Sequence, residues 1–298
     1  SAINKEMQKA ERSRFESMRK HMRLGGEKRS TFGLGKRILA GCMAGVLSVL
    51  MAAQGLPAYV KAEETMINGV QASTERSVMN FNTDWRYHRG DVTGAQEEVY
   101  QDEAWGYVNL PHSTTFYTPD NKDAYLGISW YRKRFTLSDD LKGKKLMLTF
   151  EAAMQKADVW INGEHVTQHK GGYTPFVLDL EGKVKFGQEN VIAVKIDSRP
   201  DSDFAPGKTN PDFQYFGGIY GNAYITVTDP IHISDAVEAD VTAGGGIFIT
   251  TPKVSEGSAQ VKVKTHIEND SNQTEEVTLV TEILDPDGEV VASGTDSM

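Results

Sequence analysis

From Val78 onward, short apolar or alternating runs recur between turn signals, and no long stretch keeps a helical period. The pattern predicts strands at 78–81, 106–110, 128–137, 145–151, 157–161, 173–180, 190–196 and 222–228. Asn162-Gly163 follows Asp158-Val159-Trp160-Ile161 and precedes Glu164-His165-Val166. It is the dipeptide of a two-residue hairpin whose turn needs positive φ. Strands separated by Gly, Pro, Asn and Asp, with no crossover helices, predict an all-β fold built as an antiparallel sandwich rather than a parallel sheet.

Asp229-Pro230 marks a boundary, after which the pattern restarts at 231–233, 236–241, 246–250, 258–269, 276–284 and 290–292. Asp285-Pro286-Asp287-Gly288 is a tight turn between the last two runs, and Gly244-Gly245-Gly246 is a turn rather than a phosphate loop. This second sandwich has immunoglobulin-like character, yet it stops at Met298 with fewer than the roughly 100 residues such a domain uses. A chain ending there leaves an open sheet edge, so a longer parent is expected.

The first 62 residues follow another rule. No charged residue occurs at 38–60, and Lys36-Arg37 stands immediately before it. That is the layout of a signal peptide, with Val60 and Ala62 as small residues before a cut at Glu63. The competing reading is a permanent membrane anchor, against which Gly41, Gly45, Ser48, Gln54, Gly55 and Pro57 dilute the hydrophobicity. The expected organisation is a leader at 1–62, a first sandwich at 63–229 and an incomplete second one at 230–298, in a secreted or cell-surface protein.

Charge supports that division. Of the 298 residues, 1–62 hold 12 Lys+Arg against 4 Asp+Glu, and the remainder 20 against 37. An acidic body repels phosphate backbones and excludes nucleic acid as a partner. Cys42 is the single cysteine, so there is no intrachain disulfide and no Cys-based zinc site. His165 and His169 have the spacing H-x-x-x-H but follow a hairpin turn, and read as surface strand residues.

Five stretches together resemble the N-terminal part of glycoside hydrolase family 2, the family of β-galactosidases, β-glucuronidases and β-mannosidases. They are the entry Phe81-Asn82-Thr83-Asp84-Trp85-Arg86-Tyr87; Trp105-Gly106-Tyr107-Val108-Asn109-Leu110-Pro111-His112; Trp130-Tyr131-Arg132-Lys133-Arg134-Phe135; Ala157-Asp158-Val159-Trp160-Ile161-Asn162-Gly163 with Gly171-Gly172-Tyr173-Thr174-Pro175-Phe176; and Pro211-Asp212-Phe213-Gln214-Tyr215-Phe216-Gly217-Gly218-Ile219-Tyr220. The resemblance implies a jelly-roll sugar-binding domain, then the immunoglobulin-like domain, then a TIM barrel that carries the active site. One departure is Gly221, where the family commonly places Arg.

Retaining glycosidases need two carboxyl groups about 5–5.5 Å apart. In this family both are barrel glutamates, the acid/base following an asparagine, and no Asn-Glu dipeptide occurs here. No catalytic residue is assigned. The acidic cluster Glu97-Glu98 and Asp102-Glu103 reads as a solvated loop face. The resemblance places Asp212 where an aspartate contacts the galactosyl hydroxyls near a bound monovalent cation. It matches Asn121 to a loop asparagine of the sugar site. The bland alternatives are a turn cap for Asp212 and turn formation for Asn121. Trp85, Trp105, Trp130 and Trp160 lie in or beside strands where large aromatics fill a core.

Two functions remain open. One is the non-catalytic N-terminal region of an exported β-galactosidase-like enzyme, partnered by a β-galactoside and by the barrel of its own chain. There the cofactor is none within these residues, with Mg or Na reserved for the full-length enzyme; β-glucuronidase or β-mannosidase is the alternative within the family. The other is a stand-alone carbohydrate-binding or adhesion module.

Overall fold

The computed structural model describes residues 49–52, 59–61, 76–114, 125–203, 205, 207 and 216–298. They form two compact units: Ser77–Val227, and Thr228–Met298 together with the described residues before Ser77. Within the segment assigned as leader, only β1 (Val49–Ala52) and β2 (Tyr59–Lys61) are described, each pairing with a strand of the second unit. Cys42 lies outside the described residues.

The first unit contains β3 (Ser77–Asn80), β4 (Trp85–Arg89), β5 (Gly106–Val108), β6 (Ile128–Thr136), β7 (Lys145–Phe150), β8 (Lys156–Ile161), β9 (Glu164–Lys170), β10 (Phe176–Asp179), β11 (Glu189–Asp197) and β12 (Ala223–Thr228). They make a six-stranded sheet, ordered β5-β4-β6-β11-β8-β9, and a four-stranded sheet, ordered β10-β7-β12-β3. Every pairing in the larger sheet is antiparallel. Alternation explains the core: Ala157, Val159 and Ile161 of β8 turn inward with Trp85, Tyr131, Phe150, Ile192, Val194 and Ile225, while Lys156, Asp158 and Trp160 turn out.

β4 escapes the hydrophobic pattern because its outward residues are Arg86 and His88, so only Trp85 and Tyr87 mark it as a strand. Asn162 and Gly163 adopt φ of 51° and 84°, the turn expected between β8 and β9. The Asn162 side chain also ties three segments: Oδ1 accepts the Val191 N–H at 3.0 Å, and Nδ2 donates to Asn190 Oδ1 at 2.9 Å and to the Lys183 carbonyl at 3.0 Å.

The outer face of the six-stranded sheet is partly covered by the loop between β4 and β5, under which Ala95, Trp105, Trp130 and Ala193 pack. Here the structure corrects the sequence reading, because Asp102 is buried rather than solvated. Arg132 of β6, with no exposed surface, donates from Nε to Asp102 Oδ2 at 2.8 Å. Its Nη1 reaches the carbonyls of Ala95 and Glu97 at 2.5 and 3.1 Å, and its Nη2 that of Tyr100 at 3.3 Å. One guanidinium thus fastens the whole loop to the sheet. Trp85, Trp105 and Trp130 are buried, as expected of core aromatics, and Trp160 packs against Trp130 with ring centroids 5.4 Å apart.

The second unit adds β13 (Ile231–Ile233), β14 (Ile247–Val254), β15 (Ser258–Thr265), β16 (Ile267–Asn269), β17 (Thr278–Leu284) and β18 (Val290–Ser297). Its sheets run β1-β15-β14, β18-β17-β2 and β13-β16. The strand predicted at 236–241 is instead a set of turns. Asp235 Oδ1 accepts the amides of Val237 and Glu238, and its carbonyl accepts that of Ala239, which curls the chain. The run predicted at 258–269 divides at His266, whose amide still bonds the Gly246 carbonyl next to β14 while its carbonyl accepts the Ser234 amide next to β13, the partner of β16. Gly246 at φ 61° and Gly288 at φ 90° occupy the turns predicted for them.

Candidate functional site

Asp212 and Asn121 both lie outside the described residues. What the structure shows is where their segments begin and end. Asn121 lies on the segment that leaves at Thr114 and returns at Tyr125, and Asp212 on the one that returns at Phe216. The His112 amide donates to the Ile219 carbonyl and the Thr114 amide to the Gly217 carbonyl, both at 2.8 Å. The roots of the two segments are therefore paired side by side at one end of the first sandwich.

Glycines make that approach possible. A Cβ on Gly217 would meet the side chains of Thr114 and Ser198, and one on Gly218 would sit 2.5 Å from Tyr131 Oη and 2.9 Å from the His112 carbonyl oxygen. Gly218 also has φ 99°, outside the range of ordinary L residues. Gly221, the departure from the family pattern, has a physical cause in this chain. A Cβ there would lie 2.5 Å from the backbone nitrogen of Ala152, so strand entry here requires glycine. Gly221→Ala is expected to lower stability by about 1–3 kcal/mol through overpacking, read from a denaturant melt.

Below the roots sits a neutral hydrogen-bonded pair. Tyr131 Oη and His112 Nδ1 are 2.8 Å apart, with the Tyr87 ring against both. Burial raises the Tyr131 phenol well above its ordinary value, helped by the neighbouring Tyr87 and opposed by the Ile219 amide; burial holds the His112 imidazole below its own. Both stay uncharged near neutrality, so a single proton bridges Oη and Nδ1. Arg89 braces the other segment: Nη2 donates to the Thr114 carbonyl at 3.3 Å, and the guanidinium lies over the Tyr125 ring at 4.3 Å. Tyr220 donates to the Gly172 carbonyl, bringing the Gly171–Phe176 block to the same end, where Tyr173 and Phe216 are exposed.

His112 and Tyr131 were visible in the sequence only as letters of two motifs, since nothing local shows that residues 19 apart share a proton. Among the described residues, no group of three or more His, Cys, Asp or Glu is arranged to hold a metal ion. His165 is exposed, as expected. His169 is not a surface residue: it is half-buried, stacked on Phe176 at 4.6 Å, and burial lowers its pKa.

The described residues form an all-β pair of sandwiches, and in the first of them the roots of two motif segments are paired. The family model for the sugar binding domain of glycosyl hydrolases family 2 matches 83–225, and a second model of glycosyl hydrolases family 2 matches 240–298. Together they span well over half of the chain, which belongs to glycoside hydrolase family 2. A β-glucuronidase of Formosa agariphila is 37% identical over 240 residues, covering 75% of this chain and 24% of that protein. A β-galactosidase of Thermoanaerobacter pseudethanolicus is 33% identical over 221 residues, covering 73% and 28%. Among solved structures, Bacteroides uniformis β-glucuronidase 2, covalently bound to cyclophellitol-6-carboxylate aziridine, superposes with a TM-score of 0.67 at 30% identity, covering 75% of this chain and 26% of that one. The chain thus spans about a quarter of the length of the relatives it matches. It corresponds to the jelly-roll and immunoglobulin-like N-terminal region of a family 2 β-glycosidase, and its described residues contain no barrel.

Proposed function

We propose that this chain is the non-catalytic N-terminal region of an exported β-galactosidase-like hydrolase, serving as scaffold and as one wall of the substrate pocket. The observation that supports the reading is the pairing of His112 and Thr114 with Ile219 and Gly217, which sets described ends of the segments carrying Asn121 and Asp212 side by side. The barrel of the same chain supplies the two carboxylates; Asp212 accepts substrate hydroxyls with its charge, beside a monovalent cation in the complete enzyme. Processing before Glu63 removes the basic leader on export.

A second reading, β-glucuronidase, is favoured by the Formosa relative, whose identity to this chain exceeds that of the β-galactosidase. The Pro211–Tyr220 motif favours the galactosidase. Comparing kcat/KM for aryl β-galactoside and aryl β-glucuronide in the enzyme that carries this chain separates the two.

The 298-residue chain alone should leave both substrates at the buffer blank. In the complete enzyme, Asp212→Ala is expected to lower kcat/KM about 10- to 150-fold, the equivalent of roughly 1.5–3 kcal/mol for a charged hydrogen bond, with Asp212→Asn falling between. A lowered melting point with unchanged kcat/KM would reduce Asp212 to a turn cap.

A further inference from the structure

Tyr107 stands out from the edge strand β5 with 68% of its surface exposed, directly opposite Arg86 of β4. An exposed tyrosine usually samples several rotamers, but this one is held. The Arg86 guanidinium lies 3.5 Å from the ring centroid and is itself anchored through Nη1 to the Trp105 carbonyl at 3.2 Å. One ring face is covered and fixed, and the rest is open.

Beside the ring, Asp84, Val108 and Asn109 join Tyr107 in lining an open depression of about 370 Å³, within the size range of small-molecule sites. Asn109 Oδ1 accepts the Asp84 amide N–H at 3.0 Å. That contact locks the two residues together and leaves the Asn109 amide nitrogen as a donor and the Asp84 carboxylate as an acceptor. Val108 packs against the core below, so the floor is rigid.

A preorganised aromatic face, a carboxylate and an amide donor are the complement of a pyranose ring, whose C–H face is apolar and whose rim is hydroxyl. The Asp84 carboxylate, offered as a hydroxyl acceptor, disfavours a ligand carboxylate in its place, while the Arg86 guanidinium is engaged on the covered ring face and by the Trp105 carbonyl. We propose that this depression binds a neutral pyranose unit of a glycan, with Tyr107 as stacking platform and Asp84 and Asn109 as hydroxyl partners. Its lining residues Asp84, Tyr107, Val108 and Asn109 include none of those that hold the loop end described above, and Arg89, which braces Tyr125, is at the opposite end of β4.

Isothermal titration of the 298-residue chain with methyl β-D-galactopyranoside, methyl β-D-glucopyranoside and methyl β-D-glucuronide tests this. At least one neutral glycoside should bind with millimolar affinity and more tightly than the glucuronide. Tyr107→Ala should weaken that binding by roughly tenfold, while Tyr107→Phe, which keeps the stacking face, stays within about twofold. Thermal melts should be unchanged in both variants, because the side chain is exposed. No binding of either neutral glycoside, equal or tighter binding of the glucuronide, or wild-type affinity in Tyr107→Ala would overturn the site. Binding that survives Tyr107→Ala but is lost in Asp212→Ala would overturn it while sparing the loop-end pocket.

Discussion

Asp102→Ala is expected to destabilise the first unit by about 3–5 kcal/mol, lowering its melting temperature by about 6–20 °C. The substitution removes the carboxylate and leaves Arg132 as a fully buried cation with backbone carbonyls and the Tyr100 ring, but no anion, for partners. Relief requires the loop between β4 and β5 to lift and admit water, exposing Trp105 and Trp130. Near-ultraviolet circular dichroism should therefore change with the melt. Replacing both partners by apolar residues, Asp102→Leu with Arg132→Met, should recover part of the loss by removing the unpaired charge, though the loop carbonyls remain unsatisfied. A shift below about 2 °C for Asp102→Ala would mean that water already reaches the guanidinium, contrary to its burial.

Gly218→Ala is expected to lower stability by about 2–4 kcal/mol, because strain at positive φ adds to a clash with Tyr131 Oη and the His112 carbonyl. The control is Gly182→Ala. Gly182 has φ 69° but no atom within 4 Å of an added Cβ, so only the conformational part of about 1 kcal/mol should appear. In the complete enzyme Gly218→Ala should also lower kcat/KM, since it displaces the strand end from which the Asp212 segment emerges. Equal melting points for the two variants would show that the loop roots relax freely and position nothing.

Much of the fold was legible in the chain because β-sandwiches advertise themselves locally. Alternation wrote out β8, and Asn162-Gly163 can hardly serve as anything but the turn that follows it. The failures were also local in origin. β4 reads as polar because its outward face carries Arg86 and His88. The run at 236–241 has strand composition, but Asp235 captures the amides a strand would offer to a neighbour. Asp102 looked solvated because the guanidinium that buries it comes from residue 132, out of reach of any local pattern.

The sequence by itself determined the β architecture, the change of pattern at Asp229-Pro230, the motif order that marks the family, and the absence of an Asn-Glu dipeptide. These depend on residue types and short spacings, which act within a few residues. Only the tertiary structure decided that the segments of Asn121 and Asp212 share paired roots, that Gly221 fills a space too narrow for a side chain, and that Arg86 fixes Tyr107 beside an open depression. Each of these is a contact between strands far apart in sequence, and its distance is set by how the two sheets pack and twist.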